Sequence, residues 1–407
     1  MRGAGRVEET TVSKDFDDLQ TQVRRFVDEE VIPAEPELDE GGDEAVARLA
    51  RLRAAAKTSG IWALGHPADL GGGGRSFMET VLLNEAIGRS HYGQNAVGTW
   101  SMQDSLMLRE HASPEQRDRW LGPLVAGEIR SSVGLTEPEV AGSDPTLIRS
   151  TAVLDGDEWV VNAHKWFTTG ANIASFTTVF AVTDPDADRH RRVSAIIVPT
   201  DSPGYTVVRS VPTLGTRHSV TGDHCEIRLA DVRVPATNLL GARGNGFVIA
   251  QKRLGPGRIF HAMRWLGQMQ RAFELMVARA NERFAHGSRL IDKGEIQRYI
   301  AESATDIFYH RAALITAAEA VDRGSPARLE IGMVKTRGAA LLHDVVDRAV
   351  QVHGALGLTP DTPLEAMYRR ARYARIYDGP DEVHRATIAR LLGKDITLAP
   401  WTTGGAP

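Results

Sequence analysis

Apolar residues follow two different rhythms along this chain. From Lys14 to Arg130 they recur at helical spacing: Leu19, Val23, Phe26 and Val27 lie three and four apart, Val31 follows, and Leu49, Leu52, Ala56 and Ile61 continue the pattern. From Ser131 to Gly244 they fall in short β-prone runs, at Thr151–Leu154, Trp159–Val161, Thr177–Val182, Ser194–Val198, Tyr205–Val208 and Cys225–Leu229. Asp155-Gly156 and Asp201-Ser202-Pro203-Gly204 stand where turns are needed. No helical pattern separates these runs, so an antiparallel barrel or sandwich is expected rather than a parallel sheet. From Asn245 to Lys394 long helical patterns return, over Phe247–Ala285, Lys293–Asp322, Pro326–His353 and Pro363–Tyr377, with a last one after Pro380. Long helices with short connections make a bundle.

The expectation is an α+β multidomain protein. Residues 1–130 form a helical domain, 131–245 an antiparallel β-barrel-like domain and 246–398 a helical bundle, with 399–407 a disordered tail. Gly71-Gly72-Gly73-Gly74 reads as a flexible loop between helices, since a phosphate loop needs a preceding strand and a following Lys-Ser/Thr pair.

Composition narrows the function classes. The 407 residues exceed one ordinary core. Acidic residues outnumber basic ones 52 to 48, a formal net charge of -4, which argues against general nucleic-acid binding. The single cysteine, Cys225, excludes an intrachain disulfide framework and reads as a packing residue in a strand. The N-terminal stretch lacks the apolar core of a secretory signal. No run of about 18 apolar residues occurs, so no membrane span is expected and a cytoplasmic location is the default.

Five segments carry candidate chemistry. Ile376-Tyr377-Asp378-Gly379-Pro380 ends an arginine-rich helical pattern and places one carboxylate on a sharp bend before another helix. Leu135-Thr136-Glu137-Pro138-Glu139-Val140-Ala141-Gly142-Ser143-Asp144 is either a plain loop or a small-residue stretch that lets backbone N–H groups approach a phosphate or ring carbonyl. Lys165-Trp166-Phe167-Thr168-Thr169-Gly170-Ala171 lies between β-runs and offers either a core Trp or a flat wall for a planar heterocycle. Arg283-Phe284-Ala285-His286-Gly287, on a bundle helix, holds a surface Arg or a pyrophosphate partner. Gln351-Val352-His353-Gly354 ends another helix with a capping glycine or a close-approach site.

In their order along the chain, with the Asp378 turn last, the five segments resemble the acyl-CoA dehydrogenase superfamily over residues 15–395. That resemblance implies a helical N-terminal domain, a central β-barrel-like domain and a C-terminal four-helix bundle. It also implies non-covalent FAD between the last two, its ADP end completed by a neighbouring subunit of a homotetramer or homodimer. Leu135 and Thr136 are then implied at the pyrimidine side of the flavin. Gly142 and Ser143 fall near the FAD phosphates, with Ser143 also at substrate. Trp166 walls the flavin and Thr168 donates near N5. Arg283 and His286 match an Arg-x-x-Phe-Gly motif in which His286 replaces Phe; Gln351 and Gly354 match Gln-x-x-Gly-Gly, with Ala355 replacing the second glycine. Pro380 and Glu382 follow the turn at cofactor-facing positions, and Pro380 replaces a Thr whose hydroxyl would touch FAD.

Asp378 aligns with the family's catalytic Glu. In the implied reaction a carboxylate removes the α-proton of an acyl thioester while a hydride passes from the β-carbon to flavin N5. Such a base needs a raised pKa, which burial against flavin and acyl chain is expected to supply. Some members carry the base on an earlier helix; the matching position is Gly257. Its neighbour Arg258 either orients the Asp378 loop or forms a structural ion pair. Arg328 stands near the position, Pro326, of an arginine for the CoA ribose phosphate. Gly255–Ile259, Arg233–Leu239 and Asp378–His384 resemble a subgroup that includes the dehydrogenase half of kinase-fused proteins acting on 4-hydroxyacyl-CoA; no kinase portion is read here. Implied partners are an acyl-CoA or acyl carrier protein thioester and an electron-transfer flavoprotein. No metal is implied. Two alternatives stay open: a flavin oxidase of nitroalkane-oxidase type, and a flavin-binding protein without turnover, as in DNA-damage response.

Overall fold

The computed structural model describes residues 14–215 and 219–401. The first third is helical: α1 (Lys14–Phe26), α2 (Glu35–Glu40), α3 (Gly42–Thr58), α4 (Phe77–Ile87), α5 (Gly93–Ala96), α6 (Met102–His111), and the short α7 (Pro114–Gln116) and α8 (Gly122–Ala126). Phe16, Leu19, Val23 and Phe26 put one face of α1 into the core. Ser76 and Glu79 cap α4 reciprocally, each side chain taking the other's backbone N–H. The Gly71–Gly74 run is not the flexible loop expected from its composition. Gly72, Gly73 and Gly74 donate their N–H groups to Pro67, Ala63 and His66, and a Cβ on Gly72 would lie 2.4 Å from the His66 carbonyl.

The middle of the chain forms strands β1 (Ser131–Gly134), β2 (Thr151–Asp155), β3 (Glu158–Thr169), β4 (Phe176–Val182), β5 (Val193–Pro199), β6 (Tyr205–Ser210), β7 (His224–Pro235) and β8 (Leu239–Leu240). They pair in the order β6-β7-β3-β2-β4-β5-β8, and β1 joins β4 in parallel. Among the described residues this path is open rather than a closed barrel, and it is antiparallel except where β4 meets β1 and β2. Cys225 is fully buried in β7.

Helices then resume with the 37-residue α9 (Gly246–Glu282), α10 (Gly294–Asp322), α11 (Arg328–His353), α12 (Leu364–Tyr373) and α13 (Asp381–Lys394). Met263, Leu266 and Met269 of α9, Leu314 and Ala317 of α10, and Leu342 and Val345 of α11 share one core. Ion pairs fasten the first third to α9: Arg89 reaches Glu274 at 2.6 Å and Arg271 reaches Glu35 at 2.7 Å, while Asp28 holds Arg89 from within the first third at 2.7 Å. Ala399 is buried, so packed chain continues beyond residue 398; residues 402–407 of the expected tail lie outside the described residues. Among the described residues no helix is long and apolar enough to cross a membrane.

Candidate active site

Asp378 sits between α12 and α13 with a positive φ of 53°, and Gly379 follows at 98°. Asp tolerates this left-handed region better than most residues, and Gly is indifferent to it. A Cβ on Gly379 would also lie 2.9 Å from His384 Nε2. Side chains from three helices hold the bend. Arg258 Nε of α9 donates to the Asp378 carbonyl at 2.8 Å, and His384 Nε2 of α13 donates to the same oxygen at 3.2 Å. Lys335 Nζ of α11 donates to the Gly379 carbonyl at 2.6 Å. Burial, with Arg258 and Lys335 adding to it, pushes His384 down to about 4, so its ring is neutral. Burial also draws the Lys335 ammonium down to about 8, against the pull of Asp381 and Asp378.

The Asp378 side chain is only 17% exposed, and its Oδ2 is 3.1 Å from His261 Nε2. Burial pushes its carboxyl upward, but His261, Arg253 and Arg258 outweigh that and hold it well below the usual carboxylate range. The raised pKa expected of the base is therefore not a property of the protein alone: side chains of α9, His261 first and then Arg253 and Arg258, reverse it. Pro380 caps α13, while Glu382 is exposed and pairs with Arg385 at 3.9 Å. Arg328 is exposed at the start of α11, and its charge opposes that of Arg258. Gly257 is buried against Gln103.

A second cluster forms at β1 and β3. Lys165–Thr169 of the Trp166 segment lie within β3, and only Gly170 and Ala171 follow it. The Trp166 backbone N–H donates to the Thr136 carbonyl at 3.0 Å, which ties the two candidate segments together. A Cβ on Gly142 would lie 2.6 Å from Thr136 Cγ2, so only glycine fits there without a shift. The β3–β7 register slips between Lys165 and Thr168, and Phe167 takes a positive φ of 49°. A bulge of this kind re-aims the side chains beside it. Beneath, Lys165 Nζ contacts Glu137 Oε1 at 2.8 Å, the Phe180 carbonyl at 2.7 Å and the Leu135 carbonyl at 3.2 Å. Glu137 also accepts from the Arg149 N–H, the Ser150 N–H and Ser150 Oγ. Burial pushes Glu137 upward, yet Lys165 and these donors keep it ionised; burial draws Lys165 down to about 8. Asp104 links the two clusters, accepting from Arg253 Nε at 2.7 Å and from Ser131 Oγ at 2.6 Å.

The remaining candidates stand apart. Ser143, Arg283, His286, Gln351 and Gly354 are exposed. Arg283–Gly287 is not on a bundle helix: α9 ends at Glu282, and β9 (Phe284–Ala285) pairs with β10 (Ser288–Arg289) across His286 and Gly287, at φ of 50° and 83°. Gly354 caps α11 at a φ of 65°. No hydrogen bond or ion pair among the described residues joins these positions to either cluster.

Three acyl-CoA dehydrogenase domain models match this chain in succession: the N-terminal domain over residues 13–128, the middle domain over 132–232 and the C-terminal domain over 244–393. The chain belongs to the acyl-CoA dehydrogenase family. It is 41% identical to the "probable acyl-CoA dehydrogenase FadE2" of Mycobacterium tuberculosis, covering 92% of this chain and 94% of that one. It is 38% identical to "Acyl-CoA dehydrogenase family member 10" of Mus musculus, over 92% of this chain but only 36% of that longer protein. A solved Mycobacterium abscessus structure described as an acyl-CoA dehydrogenase superposes with a TM-score of 0.89 at 36% identity, covering 96% of this chain and 99% of the other.

Acyl-CoA dehydrogenases are FAD-binding oxidoreductases, and the residues here fit that cofactor. Thr168 is fully buried, and neither its Oγ1 nor Trp166 Nε1 has a hydrogen-bond partner among the described residues. A buried hydroxyl left without a partner costs about 1–3 kcal/mol, which a ring acceptor would relieve.

Sequence reasoning missed Lys335, His384, His261 and the Glu137–Lys165 pair. Lys335 had a readable signal, since it interrupts the buried face formed by Ile331, Val334, Gly338 and Ala339. His261 and Arg264 follow Arg258 at steps of three, on one helical face. Lys335→Met removes a charged donor from the Gly379 carbonyl. It is expected to cost about 1.5–3 kcal/mol of stability, read by chemical denaturation.

Proposed function

We propose that this chain is an FAD-dependent acyl-CoA dehydrogenase in which Asp378 removes the α-proton of an acyl thioester, giving a 2-enoyl thioester. The observation that carries this reading is the Asp378 carboxylate, ionised and largely buried, on a bend that Arg258, Lys335 and His384 hold by its carbonyls. Bound FAD would accept the hydride from the β-carbon. The Asp378 N–H has no hydrogen-bond partner among the described residues, which leaves it to donate to the thioester carbonyl as charge develops there. One fixed donor of this kind contributes a factor of about 10²–10³.

Leu135, Thr136, Trp166 and Thr168 would hold the ring, and Gly142 and Ser143 the phosphates, with Ser143 also at substrate. Pro380 and Glu382 would line the turn beside it. Arg283, His286, Gln351 and Gly354 are exposed on one protomer, which suits contact with a neighbour's ADP moiety in a homotetramer or homodimer. Arg328, exposed at the start of α11, would meet a phosphate of the acyl carrier. The Asp378–His384 turn supports membership of the subgroup that carries it, and an electron-transfer flavoprotein as acceptor follows from the same reading.

Anaerobic addition of an acyl-CoA panel to the FAD-loaded protein is expected to bleach the flavin within the enzyme's turnover time. If dithionite bleaches it and no thioester does, the reading fails. One observation favours a second reading: a carboxylate held this acidic is a weak base, which suits a carbon more acidic than a thioester's. Nitroalkanes in the same panel, with oxygen uptake as the readout, test a flavin oxidase.

A further inference from the structure

His261 lies one helical turn past Arg258 on α9, and the reaction described above leaves it without a part. Its Nδ1 is 2.7 Å from Arg264 Nη2. A guanidinium only donates, so Nδ1 is the acceptor and the neutral ring carries its proton on Nε2. That nitrogen is the one 3.1 Å from Asp378 Oδ2, at ion-pair distance but off the line of a hydrogen bond. The ring cannot easily turn away. Tyr377 meets it edge-on at 4.9 Å, and Trp265 lies nearly parallel at 6.4 Å. Trp265 Nε1 in turn donates to the Tyr377 hydroxyl at 2.7 Å. Arg264 forms no ion pair with a carboxylate among the described residues; its side chain meets His261 and Asn84.

We infer that His261 is a positioning residue for the Asp378 base: Arg264 fixes it as the Nε2–H tautomer, and that N–H sets the pH at which the carboxylate takes up a proton. The inference deepens the dehydrogenase reading and rests on it. Burial and the Arg264 charge hold His261 below the ordinary imidazole range, although Asp378 pulls the other way. The carboxylate is also faced by Arg253 and Arg258 from α9 and Lys335 from α11, while His384 of α13 contacts its carbonyl and Asp381 acts on Lys335. None of these except His261 is within ion-pair distance of the carboxylate, so His261 is the short-range lever. Substrate that displaces the ring from Oδ2 would raise the basicity of Asp378 only once the thioester is in place.

The test titrates the FAD-loaded protein by infrared difference spectroscopy, reading the protonated-carboxyl band that is absent in Asp378→Asn, beside the pH profile of kcat/KM for thioester-driven flavin reduction. In the wild type neither the band nor an acid limb from Asp378 is expected above about pH 5. His261→Leu is expected to move both upward by about one pH unit or more. His261→Gln keeps an N–H donor and is expected to restore at least half of that shift. Burial still holds His261 low in Arg264→Met, but the variant loses the Arg264 charge that adds to it and is expected to raise any limb from the imidazole. If His261→Leu does not fold, His261→Ala, which also lacks an N–H donor, reads the same band. A band and limb that stay in place in His261→Leu overturn the inference. The band needs no substrate, so this failure is distinct from failure of the dehydrogenase reading, which shows as a flavin that dithionite bleaches and no thioester does.

Discussion

Asp378→Asn is expected to lower thioester-driven flavin reduction by about 10²–10⁴-fold, the usual contribution of a positioned general base. The change is nearly isosteric. Asn also tolerates the left-handed conformation that Asp378 adopts at a φ of 53°, so the bend and its clamps should persist. Flavin content and the denaturation midpoint should therefore stay close to wild type while the rate collapses. A rate within tenfold of wild type would place the base elsewhere. Asp378→Glu separates reach from backbone preference. A longer side chain carries about 1–2 kcal/mol of strain in this conformation, so a fall in both rate and stability is expected, whereas a Glu at an unstrained bend would change only the rate.

The second large effect is on the fold around the Thr136 and Trp166 segments. Glu137→Ala leaves Lys165 fully buried without its carboxylate and strips acceptors from the Arg149 and Ser150 N–H groups. Breaking such a buried pair costs about 3–5 kcal/mol. FAD affinity should fall with it, because the pair anchors the Leu135–Glu137 segment beneath Trp166 and Thr168. The double change Glu137→Leu with Lys165→Met removes both charges and is expected to recover much of the stability, since the desolvation cost disappears along with the attraction. Denaturation midpoints of the single and double variants, with flavin content, check both parts; a single-variant cost under about 1 kcal/mol would sink the anchoring role.

Much of the architecture was legible because it rests on local periodicity. The α1 face of Leu19, Val23 and Phe26, the β-runs around Val161 and Val179, and the long helices after residue 245 follow from spacings within a single element. Misreadings occurred where a few backbone angles decide the outcome. The Arg283–Gly287 stretch looked like continuing helix, yet positive φ at His286 and Gly287 turns it into a hairpin. Gly71–Gly74 looked loose by composition, yet backbone hydrogen bonds to Ala63, His66 and Pro67 pack it closely. Sheet closure could not be read at all, because strand order depends on pairings between runs far apart in sequence.

The residue types and their order along the chain were enough to point to a carboxylate on a Gly-Pro bend at Asp378 and to the segments around Thr136 and Trp166. Turn chemistry and small-residue stretches act over a few neighbouring positions, so a linear reading reaches them. The chemical state of that carboxylate was decided only by the folded molecule. Arg253, Arg258 and His261 come from more than a hundred residues earlier, and Lys335 from another helix. The pKa of a buried group is set by which charges surround it and how much water is excluded. In this protein packing assembles those charges around Asp378, reversing the upward push of burial that the sequence led us to expect.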